Sequence, residues 1–403
     1  MNTKKTVLGT IDKTKKGSGY LIVENNEKDF FISEKNIKKA LNGDTVECVK
    51  ITNREVEVVK VIKRKKQRYV GVVFSENNQN FIDYNSNKDK VVFICNDNNI
   101  KNDDIVVFEI NKWEDKLPKA NVLKTLGEKG CVNNEIHAIL EEFELPYEFD
   151  KTLIKEAELL KNLQNNKEDL KRKCFRDITT FTIDPADAKD FDDAISVNKT
   201  NNDTYEIGVH IADVSHFLKE NTNLNKEAEK RATSVYLVDR VVPMLPEEIS
   251  NNLCSLRPNE EKLTFSAVFV MKKNGEVLEE WYGKTVTESD CRLSYEEAQH
   301  IIETESNEIP ANISIRETAY KVSNEIKKAV LTLDNLAKIL RTKRMKQGAI
   351  SFDKVEVRFA LDEDFNPTTV FFKESKDANK LIEEFMLLAN KQVAAFIGKQ
   401  KQI

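Results

Sequence analysis

The sequence predicts a multidomain chain: two small all-β barrels in tandem, a helical stretch, then a domain of mixed α and β structure. Three observations predict it. Short apolar-alternating runs separated by Asn, Gly and Asp fill the first 125 or so residues, in two series of similar length and order. Between Asn134 and Cys174 the apolar spacing turns helical, and beyond Asp177 strand and helix patterns mix. The length of 403 residues agrees with two to three domains at about 150 residues each.

The first series reads as strands at 20–24, 29–33, 44–51 and 55–62, with period-two alternation in Val56 and Val58 and again in Val59 and Val61. The second runs 69–74, 80–84, 91–96, 104–110 and 121–125. Short strands at this spacing fit small barrels. The basic run KRKKQR at 63–68 joins the two series and reads as a solvated connection. Ile136, Ile139, Leu140 and Phe143 form one helical stripe, and Leu153, Ala157, Leu160 and Leu163 another, with Pro146 between them. A strand is expected at 179–183 and a hairpin of 194–197 with 205–214 around the turn 198–203. Long helical patterns lie within 317–347, and a last helix is expected at 381–397.

Hydrophobic residues make up 40% and charged residues 33%, and the net charge is −5, a polar but foldable balance. No apolar run is long enough for a membrane span, and the first residues lack the apolar core of a secretory signal. The six cysteines (Cys48, Cys95, Cys131, Cys174, Cys254, Cys291) contain no C-x-x-C pair. That argues against a zinc ribbon or disulfide framework and for a reducing cytosol, so a cytoplasmic, membrane-free protein is expected. Residues 1–70 hold 17 Lys and Arg against 9 Asp and Glu, so the rest of the chain is acidic on balance. A basic front suits a polyanion, although Lys-rich composition also describes an ordinary solvated surface.

The most informative stretch is TIDPADAKDFDDA at 182–194, with Asp184, Asp187, Asp190, Asp192 and Asp193 inside ten residues. Two carboxylates about 4 Å apart repel by roughly 4 kcal/mol at an effective dielectric near 20, so gathering them calls for cations. Carboxylate oxygens suit Mg²⁺ or Mn²⁺, and no neighbouring His or Cys favours zinc. In an extended strand Asp190 and Asp192 share a face and Asp193 points away; Pro185 offers the turn that convergence needs. An exposed acidic loop is the competing reading. A calcium loop is a third, weakened because the Gly of D-x-[DN]-x-[DN]-G is missing. The apolar flanks Phe181, Ile183, Ala194, Ile195 and Val197 favour anchoring in buried strands. A Mg²⁺ centre in a chain with a basic β-barrel region points to phosphodiester chemistry, in which two metals about 3.5–4 Å apart activate water and steady the leaving oxygen. No phosphate-cradling G-x-x-x-x-G-K-[ST] loop, G-x-G-x-x-G or G-x-S-x-G is present. The histidines are dispersed, and His210 and His216 are expected to pack or hydrogen-bond rather than ligate.

TIDPADAKDFDDA, followed by HIADVSHF, RATSVYLVDRVVPMLPEEISNNLCSLRPNEEKLTFS and KLIEEFMLLAN, resembles the ribonuclease II / ribonuclease R (RNB) family of processive 3′→5′ exoribonucleases. The resemblance covers essentially the whole chain. It implies two OB, cold-shock-like barrels at 1–66 and 67–130, a helical linker at 131–175 and an α+β RNB catalytic domain at 176–403. It also implies Mg²⁺-dependent hydrolysis of single-stranded RNA to nucleoside 5′-monophosphates, with one or two ions and Mn²⁺ as a substitute. The family's four active-site aspartates fall on Asp184, Asp190, Asp192 and Asp193. Asp184 and Asp193 correspond to the principal metal ligands; Asp190 and Asp192, the catalytic pair, ligate a second ion or position the attacking water. Tyr236 corresponds to the aromatic that packs on the terminal nucleotides, Arg257 to a phosphate contact, and Glu383 to an RNA contact, with Glu384 as a surface or capping charge. KGSGY and DFFI resemble the two cold-shock RNA-binding motifs, with Tyr20 and Phe31 as base stackers and Ser18 in place of one usual aromatic.

Family members continue beyond the point that corresponds to Ile403, with the second RNB half and an S1-type domain, and often carry an aromatic near Met345. The expectation is therefore an incomplete RNB domain, monomeric unless joined by a complementary C-terminal fragment. The alternative is a non-catalytic RNA-binding piece of such an enzyme, and a third reading is a metal-dependent endonuclease.

Overall fold

Alternation along the first strands builds the first barrel. Its order is β3–β2–β1–β4–β5, from β1 (Thr6–Lys13), β2 (Gly19–Ile22), β3 (Phe30–Ile32), β4 (Thr45–Lys50) and β5 (Val56–Lys63), with helix α1 (Glu34–Ile37) before β4. The computed structural model describes residues 6–24, 28–97, 99–113, 117–163, 171–201, 203–350, 355–363 and 365–400. Two compact units emerge, Met1–Tyr147 with Glu363–Asn366, and Glu148–Asp362 with Pro367–Ile403. Ile11, Leu21, Ile32, Val46, Cys48, Val56 and Val58 fill the first core, and the outer strands meet where the Phe31 N–H donates to the Arg54 carbonyl at 2.8 Å. Strand β1 has no clear sequence signature because Gly9 interrupts it. The structure needs that glycine: a Cβ there would lie 2.5 Å from the Ile22 carbonyl oxygen. The two phases of alternation in β5 have a physical cause. Val58 faces Cys48 and Lys60 faces Glu47, Val61 faces Val46 and Lys63 faces Thr45. Val59 and Ile62 are the extra residues of two bulges and turn outward, 56% and 50% exposed.

The second barrel is closed, in the order β10–β8–β7–β6–β9: β6 (Tyr69–Glu76), β7 (Gln79–Asn85), β8 (Lys90–Cys95), β9 (Asp104–Lys112) and β10 (Lys119–Glu128). Phe93, Phe108, Tyr69 and Tyr84 dominate its core. The junction at 63–68 is solvated at Lys63, Lys65, Gln67 and Arg68, as expected, and is tied to the fold at Arg64 and at the Lys65 backbone. Asp44 is fully buried and accepts from the Arg64 guanidinium and from the Leu41 and Lys65 N–H groups. Asp89 of the second barrel accepts from Lys13 Nζ at 2.6 Å and the Asn42 N–H at 3.0 Å, both in the first. Asp89, buried and supplied with donors by the first barrel, ties the two barrels together, while Asp44 anchors the junction.

The segment expected as a linker divides between the units. Helix α2 (Val132–Glu142) packs on β6, β9 and β10, and Lys66 Nζ reaches Glu142 Oε1 at 2.6 Å. Helix α3 (Lys151–Leu159), capped by Asp150, which accepts the Thr152 N–H at 2.8 Å, buries Leu153 and Ala157 with Phe217 and Leu224 in the second unit.

That unit is organised on a seven-stranded sheet, order β11–β18–β17–β14–β13–β12–β19. Its strands are β11 (Lys173–Phe175), β12 (Thr180–Asp184), β13 (Asp193–Lys199), β14 (Thr204–Ala212), β17 (Glu261–Lys272), β18 (Val277–Glu288) and β19 (Cys291–Ser294). Between β14 and β17 come short helix α4 (Val214–Phe217), α5 (Asn223–Arg231), the small hairpin β15 (Val235–Tyr236) with β16 (Val241–Val242), and a π-helical turn, Glu248–Leu253. Helices α6 (Tyr295–Thr304), α7 (Asn324–Lys346) and α8 (Asp377–Gly398) follow, interspersed with the hairpins β20 (Glu308–Ile309) with β21 (Tyr320–Lys321) and β22 (Glu356–Leu361) with β23 (Pro367–Lys373). Ile183, Ile195, Val209 and Phe269 pack against Ile326, Leu333, Leu381 and Phe385 of α7 and α8. Phe191, Ala194, Ala212 and Leu263 form a second core with Phe217 and Leu253. Among the described residues all six cysteines are free, and no helix is long and apolar enough to cross a membrane.

Candidate carboxylate centre and aromatic face

Strands β12 and β13 pair at Thr180–Ser196 and Phe181–Ile195 and then part. Beyond that point β12 is held by β19, up to Asp184 opposite Ser294, and β13 by β14, from Asp193 opposite Ile211. The parting strands place Asp184 at one lip of a gap and Asp192 and Asp193 at the other. Pro185 turns the chain out of β12, with the Ala188 N–H donating to its carbonyl at 3.0 Å, and Asp190 lies on the returning limb.

Four of the five aspartates share one electrostatic environment. Asp184 is 8% exposed, and its Oδ2 has no partner among the described residues. Burial pushes its carboxyl up to about 7; the Thr182 hydroxyl and Arg292 oppose the rise, and Asp193 and Asp190 add to it. Burial, then Asp192, raises Asp193 to about 6. Asp192 is displaced upward too, by desolvation first and Asp190 second, but its side chain reaches solvent, where water screens it most. Asp187 is exposed and outside the group. Among the described residues no three His, Cys, Asp or Glu side chains surround one point at coordination distance. The donor set of hard oxygens, with a buried oxygen lacking any donor, fits a divalent cation.

Tyr236, expected as the nucleotide-packing aromatic, is 68% exposed on β15. Desolvation and the charges of Asp190 and Asp192 raise its phenol, which hydrogen-bonds Asp190. Arg257 is half-buried and adjoins Leu256, whose N–H donates to the Phe191 carbonyl at 2.8 Å. Among the described residues its guanidinium has no hydrogen bond or ion pair. The α8 pair requires a correction. Glu384 is not a surface charge: it is 3% exposed and binds Arg344 through both oxygens, with Nε at 3.2 and 3.1 Å. Glu383 is the exposed member, with Arg344 Nη2 at 3.1 Å. His210 is fully buried between Ser266 Oγ at 2.6 Å and Ser196 Oγ at 2.8 Å. His216 packs on Phe217 and meets Arg172 at 3.4 Å, so both histidines do structural work. Sequence reasoning missed Arg292, Ser255 and Tyr295. Tyr295, on the first turn of α6, is pushed up to about 12 by burial and by Asp193 and Asp184. A single Arg, Ser or Tyr carries no periodic or compositional signal.

In the first barrel Tyr20 and Phe31 stand opposite each other on β2 and β3. They are 44% and 39% exposed and meet edge to face at 5.8 Å. Lys50 lies over the neighbouring Phe30 ring at 4.7 Å. Exposed rings beside a cation form a surface that can stack bases and neutralise phosphate.

Two OB-type barrels and a sheet domain that gathers aspartates between parting strands define a barrel-led protein with a carboxylate centre. Comparison with known proteins narrows the class. The RNB domain model matches residues 172–403, the Ribonuclease B OB domain model 9–65 and the Cold shock domain model 83–150. The chain belongs to the RNB family. It is 32% identical over 415 residues to Ribonuclease R 2 of Lactococcus lactis subsp. lactis, covering 98% of this chain and 61% of that protein. It is 40% identical over 306 residues to DIS3-like exonuclease 2 of Xenopus tropicalis, covering 73% and 36%. The chain thus spans about a third to three fifths of these relatives' length. Mycoplasma genitalium RNase R, solved in complex with ribose methylated single-stranded RNA, shares the fold, with a TM-score of 0.84 at 23% identity over 97% of this chain and 62% of that one.

Proposed function

We propose that this chain carries the catalytic centre of a Mg²⁺-dependent 3′→5′ exoribonuclease that degrades single-stranded RNA processively to nucleoside 5′-monophosphates in the cytoplasm. The observation that carries the reading is the buried, unpartnered Asp184 oxygen close to Asp193 and Asp190 where the strands part, in a chain of the RNB family. Asp184 and Asp193, with Asp190 and Asp192, would hold the cation, and Mn²⁺ would fit the same oxygens. Bound there, it supplies charge neutralisation at the phosphate and Lewis acidity toward the attacking water. Asp190 and Asp192 orient that water. Its oxygen forms the new bond to phosphorus, the bond from phosphorus to the penultimate O3′ breaks, and the departing O3′ takes a proton. The terminal residue leaves as a 5′-monophosphate and the shortened chain keeps a 3′-hydroxyl.

Tyr236 offers its exposed ring to the terminal base, and Arg257 offers an unpaired guanidinium to a phosphate. Tyr20 and Phe31 stack upstream bases, which fits low sequence preference because every base has a π-face. Glu383 is the exposed carboxylate of α8 available to ribose hydroxyls. The experiment is digestion of 5′-labelled single-stranded RNA with Mg²⁺, beside Asp192→Asn. A ladder shortening from the 3′ end only in the native chain is expected. Binding without shortening would overturn the catalytic reading in favour of an RNA-binding role, and internal cuts would mark an endonuclease.

A further inference from the structure

We propose that Arg292 and Ser255 are positioning residues that clamp the aspartate-bearing loop 185–192 from two sides, holding its backbone ready for a cation. The inference rests on the reading of Asp184, Asp190, Asp192 and Asp193 as cation ligands. Only the end of the loop meets a strand, where the Ala212 N–H of β14 donates to the Asp192 carbonyl at 2.9 Å, and four carboxylates repel one another along it. Something outside it must fix its path.

Arg292 grips the outgoing half. Its Nη2 donates to three carbonyls, Pro185 at 3.2 Å, Ala186 at 2.8 Å and Ala188 at 3.2 Å. Its guanidinium lies over the Phe191 ring at 4.6 Å, a flat contact that an ammonium cannot reproduce. Its backbone is itself anchored, because β19 sets Arg292 opposite Thr182, two residues before Asp184. Ser255 grips the returning half. Its fully buried hydroxyl accepts from the Phe191 N–H at 3.0 Å and donates to the Lys189 carbonyl at 3.3 Å. Asp190 lies between those two attachments and Asp192 directly after them.

The choice of acceptors is the telling feature. Arg292 stands close enough to Asp184 to favour its charge, yet its hydrogen bonds go to carbonyls. A guanidinium paired with the carboxylate would compete with a cation for the same oxygens, whereas one spent on the backbone shapes the loop and leaves them available. Groups that orient ligands in this way typically change metal affinity 10–100-fold when replaced.

The test uses the full chain as the native protein and as Arg292→Lys, Ser255→Ala and Asp184→Asn. Hydrogen exchange is followed at the amides of 186–192, and Mn²⁺ affinity is measured by electron paramagnetic resonance without RNA. Expected are about tenfold or more faster exchange confined to the loop in both clamp variants, and Mn²⁺ binding weaker by about tenfold. Unchanged loop exchange, or faster exchange spread evenly over the sheet, would overturn the clamp. A loosened loop with native Mn²⁺ affinity would overturn its positioning role. Ser255→Ala, the smaller change, decides the matter if Arg292→Lys does not fold. Failure of the native chain to bind Mn²⁺, or unchanged binding by Asp184→Asn, would overturn the cation reading instead, while loop exchange still reports on the clamp.

Discussion

Replacing Asp184 by Asn should make the cation-free protein more stable and at the same time remove the stability it gains from a divalent cation. Asp184 is 8% exposed, its Oδ2 lacks a partner among the described residues, and its carboxyl is raised from 3.8 to about 7. A rise of about three units is roughly 4 kcal/mol held against the ionised form. Asp193 shares in that displacement and an amide still buries polar atoms, so about 2 kcal/mol is the release expected at pH 8. The sign follows from linkage: a carboxyl raised on folding destabilises the folded state where it is ionised. The gain in Asp184→Asn is therefore full above pH 7 and fades as pH falls toward 4. At about 2–4 °C per kcal/mol for a unit of this size, the melting transition should rise by about 4–8 °C. Scanning calorimetry in chelator at pH 8, repeated with Mg²⁺, measures both effects. The native chain should gain about 2.7 kcal/mol at a cation concentration 100 times the Kd, and the variant nothing. A variant that melts at or below the native chain in chelator, or that gains equally from Mg²⁺, would refute the picture of carboxylates held together against their repulsion.

Tyr20→Ala and Phe31→Ala should each weaken single-stranded RNA binding by about 1–3 kcal/mol, read by fluorescence anisotropy; native affinity in both would reject the stacking face. Glu384→Ala, which leaves Arg344 only its exposed partner Glu383, should destabilise by about 1.5–3 kcal/mol. Glu383→Ala should stay within about 0.5 kcal/mol, and denaturant titration distinguishes the two. His210, pushed down to about 3 by burial and then by Lys173, must stay neutral in the folded state. Its contribution is therefore present above pH 6.5 and lost as pH falls toward 3, by about 1.4 kcal/mol per pH unit. His210→Gln should flatten the acid limb of the stability profile between pH 6 and 4, and an unchanged slope would reject a neutral buried imidazole.

The sequence by itself determined what depends on near neighbours. Alternating apolar residues placed nine of the ten barrel strands, helical spacing placed α2, α3, α7 and α8, and five aspartates in ten residues announced the centre. Even the slipped phase between Val58 and Val59 recorded a bulge. Only the tertiary structure decided which aspartates meet. Asp184 and Asp193 are brought together across strands that pair for two positions and then part, with β12 held on its other side by β19. Arg292 reaches Pro185 across 107 positions and Ser255 reaches Phe191 across 64, separations at which periodicity carries no information. Glu383 and Glu384 are indistinguishable as neighbours in the sequence, yet the rotation of α8 buries one and exposes the other. Local pattern fixes which face of an element is apolar; the register between distant elements fixes which polar groups that face brings together.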